Sequence, residues 1–127
     1  GIKALIVDDN KMNRIILEKF LTRWGMSYDS VEDGIKALEL MKDNEYGIVL
    51  LDIQMPVMDG FEVARNIRQM KGSDSHNMPV IALSADVFAN VYNKLIDSGM
   101  DDFVSKPIDP NELLEVIYKY TMRVTVE

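Results

Sequence analysis

The sequence predicts an α/β fold in which a parallel five-stranded sheet is covered by helices on both faces. Three observations predict it. Short β-branched apolar runs alternate with helical patterns along the chain. Three of those runs, Ala4-Leu5-Ile6-Val7, Ile48-Val49-Leu50-Leu51 and Val80-Ile81-Ala82-Leu83, lack the alternating polar residues of a half-exposed strand. The segments between runs hold crossover helices, which parallel strands require. With 127 residues, one domain is expected, burying about two-thirds of the surface its unfolded form exposes.

The elements follow in order. After the first strand, Met12, Ile15, Ile16, Phe20, Leu21 and Trp24 recur at three and four residues, and Gly25 supplies the stop. Ser27 to Val31 is a weaker strand candidate, and 35–42 a second helix. Asp59 opens a third, with Glu62 completing a capping box and Phe61, Ala64 and Ile67 on one side. Phe88, Val91, Tyr92, Leu95 and Ile96 form a stripe ending at Gly99, and Phe103-Val104 is a short fifth strand. Asp109 and Pro110 open the last helix, with Glu112 three residues after the cap and Leu113, Leu114 and Ile117 following. Five strands in so short a chain suggest a doubly wound, flavodoxin-like (βα)5 sheet of order 2-1-3-4-5.

Composition narrows the function. A net charge of −7 argues against extended nucleic-acid binding, which needs clustered Lys and Arg. The absence of cysteine excludes disulfides and thiolate metal sites. No apolar run approaches the roughly 18 residues of a membrane span, so no membrane contact by this domain is expected. The chain opens Gly1-Ile2-Lys3 without Met, as an excised piece of a longer protein does.

The polar residues that interrupt this pattern fall at one place. Asp8 and Asp9 follow the first apolar run, Asp52 follows Leu51, Ser84 follows Leu83, and Lys106 follows Phe103-Val104 with Ser105 between. In a parallel sheet these positions share the carboxyl edge, where open α/β sheets bind ligands. Three carboxylates crowded there raise one another's pKa unless a cation intervenes. Mg²⁺ suits them, because it takes carboxylate oxygens and retains water. Singly, Asp8 and Asp9 read as helix caps with Asn10, and Asp52 as the start of a turn; together with Lys106 they read as a cation and phosphate site. Pro107 biases Lys106 toward an extended conformation, and lysine suits phosphate as a point charge.

Four stretches carry a family resemblance: Val7-Asp8-Asp9-Asn10, the run from Leu51 to Gly60 (LDIQMPVMDG), Ala82-Leu83-Ser84-Ala85, and Ser105-Lys106-Pro107. The chain resembles the receiver domains of response regulators and hybrid sensor histidine kinases from Lys3 to Tyr120. The resemblance implies that Asp52 is the phosphoacceptor and that Asp8, Asp9, Asp52 and the backbone carbonyl of Gln54 hold Mg²⁺. It implies that Ser84 bonds a phosphoryl oxygen and Lys106 pairs with the phosphoryl group. Ser84 and Phe103 then form the switch, which reads out on the fourth helix, fifth strand and fifth helix. Gln54 and Asp86 tune water access during dephosphorylation. The implied partner is a histidine kinase or histidine phosphotransfer domain, with a phosphorylation-dependent homodimer also admitted. The implied activities are self-phosphorylation and self-dephosphorylation. Asn10 to Asn13, 89–102 and Ile108-Asp109-Pro110 look more like receivers attached to hybrid kinases, in a cytoplasmic setting whose parent chain can be membrane-anchored. The receiver is expected over 1–121, with 122–127 as a tail or linker whose Val124-Thr125-Val126 looks extended.

Other residues read as background. His76, the only histidine, sits in a polar loop, and the methionines read as core filler. Lys11, Arg14, Lys19 and Arg23 read as a solvated helix face bordering the acidic site, able to receive a partner. Two rival functions remain. An aspartyl-phosphate hydrolase of the haloacid dehalogenase type places a second Asp two residues after its nucleophile; here Gln54 stands there and cannot serve as the acid. A pseudo-receiver, a binding module never phosphorylated, generally loses an acid or the lysine, and this chain keeps all of them.

Overall fold

The computed structural model describes residues 2–70, 78–85 and 89–121, with backbone alone at 89 and 90. Among the described residues ten elements alternate: β1 (Lys3–Val7), α1 (Lys11–Arg23), β2 (Ser27–Val31), α2 (Gly34–Asp43), β3 (Ile48–Asp52), α3 (Gly60–Gln69), β4 (Val80–Ser84), α4 (Ala89–Asp97), β5 (Asp102–Ser105) and α5 (Pro110–Thr121). The strands form one parallel sheet of order β2-β1-β3-β4-β5, the order expected.

Strand alternation divides the core into two layers. Ala4, Ile6, Ile48, Leu50, Ile81, Leu83 and Val104 face α1 and α5, where Leu17, Leu21, Leu113 and Ile117 cover them. Leu5, Val7, Val49, Leu51, Val80 and Ala82 face the other way, onto Ala37 of α2, Val63, Ala64 and Ile67 of α3, and Leu95 of α4. The central strands are apolar at consecutive positions because both faces are buried, while β2 and β5 at the edges are only partly covered.

Among the described residues, side-chain oxygens cap α1, α2 and α3 at their starts. Asn10 accepts from the N–H of Asn13, Asp33 from Lys36 and Asp59 from Glu62. Asp109 accepts from the N–H of Asn111. The Glu112 carboxylate, expected to complete a box at Asp109, instead accepts from the Ser105 N–H at 3.5 Å, tying α5 to the end of β5. The α1 stripe is also corrected. Leu17 and Leu21 are the buried residues of that helix, whereas Met12 and Ile16 are exposed. At ~100° per residue Met12 lies roughly 140° round the helix from Leu17, so it cannot share the face that Leu17 and Leu21 present to the sheet. Phe88, His76 and 122–127 lie outside the described residues.

One close approach joins fold and site. The first residue of α3, Gly60, donates its N–H to the Ile53 carbonyl at 3.2 Å. A Cβ there would stand 2.6 Å from both the Asp52 carbonyl oxygen and the Ile53 Cα. Both obstacles are backbone of a central strand and its immediate exit, so the helix would have to move. Gly60→Ala is therefore expected to destabilise the domain by about 1–3 kcal/mol, read as a lower urea midpoint. A wild-type midpoint would show that α3 can back away freely.

Candidate functional site

Register places the predicted residues together. Val7 pairs with Leu51, Asp52 with Leu83, and Ser84 with Ser105, so β1, β3, β4 and β5 end side by side. Asp8, Asp52 and Ser84 are buried there, whereas Asp9 is exposed. One carboxylate oxygen each from Asp8, Asp9 and Asp52 comes within 4.8 Å of the others.

Each group is aimed by its neighbours. Asp8 Oδ1 accepts the N–H of Asn10 at 2.9 Å, a local turn that leads into α1. Thus the capping role and the cluster coexist, with Asn10 as the cap and Asp8 behind it. Asp52 Oδ1 accepts the Gln54 N–H at 3.1 Å. Lys106 reaches across from the end of β5, with Nζ 3.1 Å from Asp52 Oδ1 and 3.3 Å from Asp8 Oδ2. Its backbone N–H donates to the Ser84 carbonyl at 2.9 Å, extending the β4–β5 ladder by one step, and the Lys106–Pro107 peptide is cis.

The balance of charge leaves a deficit. Two fully or nearly buried carboxylates share one ammonium. Asp8 Oδ2 has no hydrogen-bond partner among the described residues; the Lys106 contact at 3.3 Å lacks that geometry. An ionised oxygen buried without a donor is costly. Asp52 shows the same stress: burial first, then the charge of Asp8, push its carboxyl up to about 6, against the pull of the Gln54 N–H and Lys106. A hard cation held by oxygen fits this donor set, which contains carboxylates and no nitrogen or sulfur ligand.

The remaining predicted residues fall into place unevenly. Ser84 sits buried at the end of β4. Gln54 has an exposed side chain just beyond Asp52. Phe103 is half-buried on β5 and meets Tyr92 of α4 edge-on, with ring centroids 6.1 Å apart at 79°. Asp86 lies outside the described residues. Arg14, read as part of a solvated face, is half-buried and donates from Nη1 to the Asp8 carbonyl at 2.7 Å, fixing the peptide that carries the first acids. Its spacing six residues after Asp8 is the only trace of that bond in the sequence.

Similarity to known proteins agrees with this geometry. The family described as response regulator receiver domain matches residues 4–118. The hybrid signal transduction histidine kinase L of Dictyostelium discoideum is 45% identical over 122 residues, a match that takes in 93% of this chain and 7% of that kinase. The chain therefore corresponds to a small part of that relative. The receiver domain of a Pseudomonas aeruginosa sensor histidine kinase, solved with a magnesium ion coordinated in its active-site cleft, superposes with a TM-score of 0.87 at 30% identity, covering 95% of this chain and 98% of that one. The receiver domain of the Saccharomyces cerevisiae response regulator Ssk1, solved with the histidine phosphotransfer protein Ypd1, gives 0.89 at 27% identity, covering 100% and 94%. A match that runs from β1 into α5 and takes in the whole sheet edge shows that this chain belongs to the response regulator receiver domain family.

Proposed function

We propose that this receiver accepts a phosphoryl group on Asp52 from a phosphohistidine and holds Mg²⁺ through Asp8, Asp9, Asp52 and the Gln54 carbonyl. The observation that carries the reading is the unbalanced carboxylate pair: Asp8 Oδ2 and Asp52 are buried against a single ammonium. When bound, the ion supplies charge neutralisation for the oxygens of the transferring group. A bond forms between an Asp52 carboxylate oxygen and phosphorus, and the bond from phosphorus to the histidine nitrogen breaks, leaving its electron pair on the imidazole. Lys106, now shared by Asp8 and Asp52, turns to the phosphoryl oxygens. The Ser84 hydroxyl orients one of them, and Gln54 and Asp86 govern the water that later removes the group.

The switch reading rests on Phe103. Ser84 and Phe103 occupy neighbouring strands, and Phe103 touches Tyr92, so a change at the phosphoryl group has a packed route to α4. Tyr92 and Ile96 expose apolar surface on that helix, where phosphorylation-dependent pairing of two copies is expected. Donor docking is supported at the other side of the site by the exposed Met12 and Ile16 of α1. We place the domain boundary at residue 121, the end of α5.

Three outcomes test this reading. Asp52→Asn abolishes labelling by acetyl phosphate, whereas Lys106→Ala retains some labelling but loses the amide shifts around Val91 to Phe103 that beryllofluoride induces. Label that persists on another residue of Asp52→Asn would sink the assignment.

Mg²⁺ titrated against Trp24 fluorescence or by calorimetry should bind wild type and Lys106→Ala, and bind Asp9→Ala at least tenfold more weakly. Equal affinity in wild type and Asp9→Ala would refute the site.

The third outcome is a pH dependence. The Asp52 carboxyl lies at about 6 in the metal-free fold, against roughly 3.9 when unfolded. Below pH ~4 it is protonated in both states. As pH rises through about 6, the fold must release a proton it holds more tightly than the unfolded chain does, so stability falls. In EDTA, the urea midpoint of Asp52→Asn should therefore gain on wild type between about pH 4 and 6 and level off above that range, and saturating Mg²⁺ should reverse the gain. A pH-independent difference counts against the strained carboxylate pair.

A further inference from the structure

The three acids of the cluster are not held equally. Asp52 is buried, and its Oδ1 accepts the Gln54 N–H and stands 3.1 Å from Lys106 Nζ. Asp8 is fixed at three points. Its N–H donates to the Val31 carbonyl at 3.2 Å, Oδ1 accepts the Asn10 N–H, and Oδ2 faces Lys106. Asp9 is exposed and makes no hydrogen bond or ion pair among the described residues. One of its carboxylate oxygens nevertheless lies within 4.8 Å of the other two acids. Its direction is therefore inherited from the backbone on either side.

On the carboxyl side that backbone is Asn10, whose N–H is held by Asp8 and whose side chain caps α1. On the amino side it is the Asp8–Asp9 peptide. Arg14 holds the carbonyl of that peptide from the first turn of α1, with Nη1 2.7 Å from the oxygen. A peptide is planar, so fixing its carbonyl sets ψ of Asp8 and limits φ of Asp9. The backbone in turn selects the rotamers open to the Asp9 side chain. The donor is a half-buried guanidinium, and its charge makes the bond stronger than one between neutral groups. Arg14 forms no ion pair with any of the three acids among the described residues. A fixed positive charge beside a cation site repels the incoming ion, so its benefit to that site has to be geometric.

We propose that Arg14 is a positioning residue of the cation site, which acts through the Asp8–Asp9 peptide to aim Asp9 at the ion. This rests on the Mg²⁺ reading above, and deepens it by assigning how the one exposed acid is aimed. Groups that orient a metal ligand contribute about 10–100-fold in affinity.

The test titrates Mg²⁺ by calorimetry into the full chain as wild type, Arg14→Met, Asp9→Ala and the double variant, each with a urea midpoint in EDTA to show that it is folded. Arg14→Met is expected to bind about tenfold more weakly than wild type. On the Asp9→Ala background the same substitution should change affinity by less than about twofold, because the ligand that Arg14 aims is gone. Unchanged affinity in Arg14→Met overturns the proposal, since the bond then serves the fold alone. Tighter binding overturns it too, since only the charge of the guanidinium is then felt. So does an equal loss on both backgrounds, which puts the action of Arg14 outside Asp9. If Arg14→Met does not fold, Arg14→Gln, which removes the charge and shortens the reach but stays polar, takes its place with the same expectations. A wild type that binds no Mg²⁺, or binds it no better than Asp9→Ala, is a different result: it removes the Mg²⁺ reading, and this inference with it.

Discussion

The constraint on which the site depends is the crowding of negative charge at one end of the sheet. Parallel strands must all finish at the same edge, and here β3 finishes in Asp52 while Asp8 directly follows the last residue of its neighbour β1. Their side chains are buried because α-helices cover both faces right up to the strand ends. Burial in a medium of low dielectric strengthens repulsion between them and removes the water that would otherwise soften it. Lys106 offsets part of this from β5, reaching both carboxylates at once. One ammonium against two buried carboxylates and an exposed third leaves an excess of negative charge that a further cation would offset.

The fold was legible in the sequence because two periodicities alternate cleanly. The β4 run was predicted as Val80 to Leu83 and ends at Ser84; the β3 run ends at Asp52. Even the weak β2 candidate occupies Ser27–Val31. In such strands the first polar residue marks the edge, so the convergence of Asp8, Asp52 and Ser84 could be read before any coordinate. What could not be read was rotation and reach. The apolar residues of α1 are compatible with more than one face, and only packing against the sheet selects Leu17 and Leu21 over Met12 and Ile16. Likewise Arg14 is sequence-distant from any pattern of its own, and its bond to the Asp8 carbonyl depends on where the first turn of α1 sits over the strand end.

Backbone contacts do as much as side chains to define the setting of Asp52. Asp52 receives the Gln54 N–H, and the Asp52 and Ile53 backbone lies against Gly60 at the start of α3. The seven residues between β3 and α3 must therefore leave the sheet and return to it within a short span. Such a return leaves little freedom for the loop. Asp59 caps the helix, Met55 is buried, and Gly60 is pinned by the Ile53 carbonyl. Between these anchors only Pro56, Val57 and Met58 can absorb the reversal of chain direction.

That geometry explains why strain falls on position 57. A loop anchored at Met55 and Asp59 needs a tight reversal, and the γ-turn at Val57 supplies one. The reversal alone asks for glycine or asparagine. It does not ask for an exposed β-branched side chain, which adds cost without packing inside the domain. The rigid setting of Asp52 and the strained turn at Val57 come from the same short connection between β3 and α3.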